Sequence, residues 1–85
     1  MNATKEEVAE LVKDNKEVAE KWVNMVTDDI EKNTPFRMSP ANKKSPYTKA
    51  CWLLYLYQKT QRIYDTNEKV ADMVFITKIA MKALQ

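Results

Sequence analysis

The sequence predicts an all-α fold, a compact bundle of three or four helices with a central apolar pair, on three observations. Apolar residues recur at i, i+3 and i+4, the spacing that lines one face of a helix. Cap signals stand where those periodic stretches begin, at Thr4-x-x-Glu7, Ser45-Pro46 and Asp65-Thr66-Asn67. With 85 residues, 45% of them hydrophobic and 31% charged, the chain has material for one soluble domain spanning 1–85.

The first helix is expected at about 5–13. Thr4 is its N-cap, Glu7 completes a capping box, and Val8, Leu11 and Val12 make the apolar stripe. Asp14-Asn15 interrupts, and Asp14-x-x-Glu17 offers a second cap. A second helix over about 15–32 carries Val18, Ala19, Trp22, Met25, Val26 and Ile30 inward. The stripe survives whether 5–32 is one helix or two. Asn15 would sit in it if there were one, which favours two.

Residues 33–45, with Pro35, Pro40 and several turn formers, read as a loop. It is long for a compact domain, and such loops are often functional. Phe36 and Met38 have the option of tucking back onto the core.

Ser45 as N-cap with Pro46 at the first helical position starts a third helix, expected to run to about residue 64. Two stripes divide its apolar residues. Ala50, Leu53, Leu54, Tyr57 and Tyr64 form one, Trp52, Leu56 and Ile63 the other, and Thr48, Tyr55, Lys59 and Arg62 form a polar strip between them. The fourth helix, about 67–84, is also doubly striped. Val70, Met73, Val74, Ala80, Met81 and Leu84 face one way, and Phe75, Ile76, Ile79 and Ala83 face largely the other. A helix apolar on nearly all sides is either central in its own fold or holds something else.

Composition removes most catalytic options. Glycine and histidine are both absent. That excludes Gly-rich phosphate loops and the nucleophile elbow, and it removes the usual general base and the commonest metal ligand. The lone Cys51 permits no internal disulfide, fits a reducing cytoplasm and is expected to pack as a small apolar residue. The reading is a protein that is not an enzyme, with no catalytic residues, no metal site and no cofactor. Its N-terminus lacks a signal core, and the longest apolar run, Ala50 to Tyr57, is far below the roughly 20 residues that cross a bilayer. A cytoplasmic location is therefore expected.

Charge is unevenly distributed. Residues 1–31 carry four lysines and nine acids, whereas 32–64 carry seven basic residues and no acid. Either the acidic segment folds over the basic one, or a basic face is aimed at an acidic protein, a nucleic acid or anionic lipid. The basic third interleaves lysines with aromatics, and the last two helices are joined by a short turn, as in a helix-turn-helix. The would-be recognition helix has an apolar face instead of base-reading side chains, which makes a nucleic-acid regulator the alternative reading.

The main reading is partner binding through the second apolar stripes and the basic segment before them. The candidate contacts are Phe36, Arg37, Lys43, Lys44, Lys49, Trp52, Leu56, Lys59, Ile63, Phe75 and Ile79. The competing reading of those stripes is burial beneath the N-terminal helices, and a homo-oligomer is a further option. If the stripe on the third helix is a surface, Trp52→Ala and Leu56→Asp should abolish partner capture and leave folding cooperative.

The stretches KKSPYTKACWLLYLYQKTQRIY (43–64) and VADMVFITKIAMKAL (70–84) resemble the small cytoplasmic lysis-inhibition accessory proteins, or antiholins, of T-even bacteriophages. The similarity covers most of the chain and its length, without a diagnostic motif. It implies a non-catalytic protein in the host cytoplasm that binds the short cytoplasmic part of a membrane-embedded holin, delays hole formation and prolongs infection. It carries over no individual binding residue.

Overall fold

The structure, a computed structural model, describes residues 4–60 and 67–85. Helices α1 (Lys5–Lys13), α2 (Lys16–Asn33), α3 (Pro46–Lys59) and α4 (Asn67–Ala83) form an all-α bundle, with a single 3₁₀ turn at Asn42–Lys44 between α2 and α3. The Cα radius of gyration is 12.0 Å, equal to the roughly 12 Å expected of a globule of this length.

Local signals set the helix starts. The Thr4 hydroxyl accepts the Glu7 N–H at 3.2 Å, and α1 begins there. Asn15, not Asp14, caps α2: its Oδ1 accepts the Val18 N–H at 3.2 Å. Chain 5–33 is therefore two helices. At Ser45 the box is closed in both directions. The Thr48 N–H donates to Ser45 Oγ at 3.2 Å, and the Ser45 N–H donates to Thr48 Oγ1 at 3.1 Å. The Thr48 hydroxyl also donates to the Asn42 carbonyl at 2.7 Å, tying the 3₁₀ turn to the start of α3.

One helix end differs from expectation. The third helix ends at Lys59, where Thr60 is extended (φ −142°, ψ 126°) with its N–H on the Leu56 carbonyl. The expected continuation over 61–64 lies outside the described residues.

All four helices feed one core. Its members are Val12 from α1, Ala19, Trp22, Val23, Val26 and Ile30 from α2, Ala50, Leu53, Leu56 and Tyr57 from α3, and Val70, Ile76, Ala80 and Leu84 from α4. Helix α4 packs against each of the other three and is the central element. That explains its broad apolar circumference. Leu11 and Met25, expected inward, are instead exposed at 64% and 60%. Ala9 and Val23 take the inward positions. On α1, Leu11 lies about 100° from Val12, so only one of them can face the bundle.

The loop is held down. Met38 is buried and Phe36 packs half-buried against the core. Glu31, in the last turns of α2, fastens the segment with both oxygens. Oε2 accepts the Met38 N–H at 2.9 Å and Oε1 pairs with Lys43 Nζ at 3.2 Å. The Met38 hydrogen bond, followed by Lys43 and then Arg37, holds the Glu31 carboxyl below its ordinary 4.5, against an opposing push from burial. A carboxylate with a lowered folded pKa contributes stability that is complete above about pH 4.5 and is lost as pH falls through the folded value. Glu31→Gln should accordingly lower stability by about 1 kcal/mol at pH 7. The gap to the parent should close by pH 3, as followed by urea melts at both pH values. A gap of equal size at both would show that the carboxylate charge is not what holds the loop.

Candidate partner-binding surface

The structure distributes the sequence-derived contacts over three unlike environments. On α3, Leu56 is buried in the core at 6% exposure, and Trp52 is half-buried against the same cluster. The two stripes expected there are one arc. Leu56, Leu53, Tyr57 and Ala50 span about 120° of the helix, all of it buried. Helix α3 lies against both α2 and α4, and a helix with two neighbours buries a wider arc than a helix with one. Leu56 is therefore core and not a surface contact. Ile63 lies outside the described residues. Exposed on α3, beside Gln58, are Cys51, Tyr55 and Lys59, one turn apart, with Lys59 Nζ 5.6 Å from the centre of the Tyr55 ring. Cys51, expected to pack inward, is exposed with its thiol 3.7 Å from Met81 Sδ.

The basic segment is partly consumed inside the molecule. Lys43 pairs with Glu31, and Lys49 Nζ donates to Asn24 Oδ1 at 2.9 Å. Arg37 folds onto its own loop, donating to the Thr34 and Phe36 carbonyls at 2.7 and 2.8 Å. Lys44 stays exposed, as does the rest of Arg37. The acidic first third thus does fold over part of the basic second third, through α2.

On α4 the outcome is split. Ile76 joins the core at 5% exposure, while Phe75 is 41% exposed and Ile79 is half-buried. These two lie on the floor of a groove of about 470 Å³ between α1 and α4, with Ala83 below them on α4 and Ala9 across from them on α1. Glu6, Glu10 and Asp14 line its α1 side, and Lys13 and Lys82 lie at the last turns of their helices. Lys5 anchors the start of α1 to α4, with Nζ 3.5 Å from Asp72 Oδ1 and 5.5 Å from the centre of the Phe75 ring.

Of the eleven predicted contacts, only Phe75 and Ile79 share this groove. Its α1 wall was missed. The signal was legible, since Glu6, Glu10 and Asp14 follow one another at i, i+4 and i+8, but an acidic row on a helix marks a solvated face until a neighbour is laid beside it. Among the described residues no three His, Cys, Asp or Glu side chains are grouped as a metal would require. No described helix is long and apolar enough to cross a membrane. Comparison with known protein families, characterised proteins and solved structures finds no match to this chain.

Proposed function

We propose that this chain is a non-catalytic regulator that works by binding a helical segment of another protein, in the manner of the phage antiholins its sequence resembles. Its target is then the cytoplasmic part of a holin, and the consequence of binding is delayed lysis. One observation carries the reading: exposed Phe75 and half-buried Ile79 lie together in an open groove with charged walls. Apolar floors with charged rims are the form that helix-binding sites take. The choice of target rests on the resemblance alone; the groove supports the kind of contact.

The nucleic-acid alternative draws less support. Lys43 and Lys49 are turned onto α2, so a phosphate backbone would meet fewer free cations than the sequence count suggests.

The deciding experiment is titration of the purified chain with the soluble cytoplasmic segment of a T-even-type holin, by calorimetry, alongside duplex DNA at two salt concentrations. Saturable binding of the holin segment, together with later lysis when both genes are expressed, is the expected result. No holin binding at about 100 µM, or DNA binding that falls steeply with salt, would overturn the reading.

A further inference from the structure

Two ridges border the α1/α4 groove. On α4, Phe75, Ile79 and Ala83 stand at i, i+4 and i+8, and Glu6 and Glu10 on α1 with Asp14 at its C-cap are spaced in the same way. Each ridge is about 12 Å long, two helical turns. Rows at i±4 are the ridges that helices interdigitate when they pack, so a pair of them side by side is the receiving half of a third helix. One ridge is apolar and the other is acidic.

The acids are not spent inside the molecule. Ion pairs among the described residues join Lys5 to Asp72 and Lys43 to Glu31, and neither uses Glu6, Glu10 or Asp14. Lys13 and Lys82 touch the groove at the last turns of their helices, and the Lys5 ammonium over the Phe75 ring is already paired with Asp72. Glu6 and Glu10 are thus the carboxylates of its first half without an ion pair among the described residues. Carboxylates with no ion pair among the described residues, beside an apolar floor, favour a ligand that brings cations and apolar side chains on adjacent rows.

We infer that the groove is the seat of a basic amphipathic helix from a different protein, with aliphatic side chains over Phe75, Ile79 and Ala83 and lysine or arginine against Glu6 and Glu10. This rests on the protein-binding reading above and deepens it: the partner is recognised by an acidic wall, not by the chain's own basic segment. A second copy is a poor occupant. The large exposed apolar residues outside the groove, Leu11, Met25 and Tyr55, lie on three different helices, so none of these helices offers a row of anchors. A small apolar molecule would fill a cavity of this volume but would leave the carboxylate row without a counterpart.

The probe is an alanine-rich helical peptide of roughly fifteen residues, with leucines at i, i+4 and i+8 and lysines on the neighbouring row. Binding is followed by NMR shifts of the Ala9, Phe75, Ile79 and Ala83 signals in the full chain. The expected result is saturable shifts at these residues. Affinity should drop roughly tenfold in Glu6→Lys/Glu10→Lys and recover when the peptide's lysines are exchanged for glutamates. Recovery separates lost recognition from lost folding. Shifts centred on Tyr55 or Met25, affinity indifferent to the charge exchange, no binding at about 1 mM, or concentration-dependent shifts of the protein alone would each overturn the inference. The holin titration keeps the two proposals apart. Holin binding that leaves the groove signals unmoved sinks the groove and spares the regulator. Groove binding of the basic peptide without holin binding does the reverse.

Discussion

Leu56→Asp is expected to abolish cooperative folding. Leu56 is 6% exposed and belongs to the central cluster. The substitution removes a buried aliphatic side chain and places a carboxyl where the core offers it no cation. Loss of the leucine alone amounts to about 2–5 kcal/mol, and the desolvated polar group adds several more. A domain of this length has a total stability of roughly 4–13 kcal/mol, so little or nothing is left. The control is the next residue toward the N-terminus. Tyr55 is 57% exposed, and Tyr55→Asp should change stability by less than about 1 kcal/mol. Urea melts followed by circular dichroism and tryptophan fluorescence read both. A sigmoidal transition for Leu56→Asp near the parent midpoint would mean that this side of α3 is a surface, as the stripe pattern in the sequence alone allows.

Thr77→Val should move stability the other way, by about 1–2 kcal/mol. Thr77 is fully buried at the middle of α4, and its hydroxyl has no hydrogen-bond partner. A buried polar group without a partner carries a desolvation penalty of about 1–3 kcal/mol. Valine keeps the branched shape and removes that penalty, with nearly the same helix propensity. Thr27 supplies the internal comparison. It is as buried, but its hydroxyl donates to the Val23 carbonyl at 2.8 Å, so Thr27→Val gives up a bond and should gain nothing. For a domain of this size each kcal/mol moves the melting temperature by about 4–8 °C. Equal shifts for both variants would show that the Thr77 hydroxyl is satisfied in solution.

The start signals were readable because capping is a local matter. Thr4 with Glu7, and Ser45 with Pro46 and Thr48, meet within a few residues of one another. The same locality separates α1 from α2 at Asp14-Asn15, although the cap proved to be Asn15. Thr77 illustrates the opposite case. No local signal marks this threonine, yet its side chain lies within the buried arc of α4.

The composition of the chain and the period of its apolar residues determined the all-α class, the order of the helices and the loop between the second and third. What the pattern could not determine is how wide an arc each helix buries. Period 3.6 says which residues share a face, but the number of faces covered depends on the number of neighbours. Helix α4 has three neighbours and α3 packs against both α2 and α4, so Ile76 and Leu56 are core although each belongs to a second stripe. At the edge of α4, where α1 covers only part of the circumference, Phe75 and Ile79 stay open and acquire an acidic wall from α1. The α4 ridge was legible as a candidate contact through Phe75 and Ile79, whereas the acidic α1 ridge signals no site on its own helix. Only the tertiary structure, by setting one beside the other, brings an apolar floor and carboxylates within reach of a single partner.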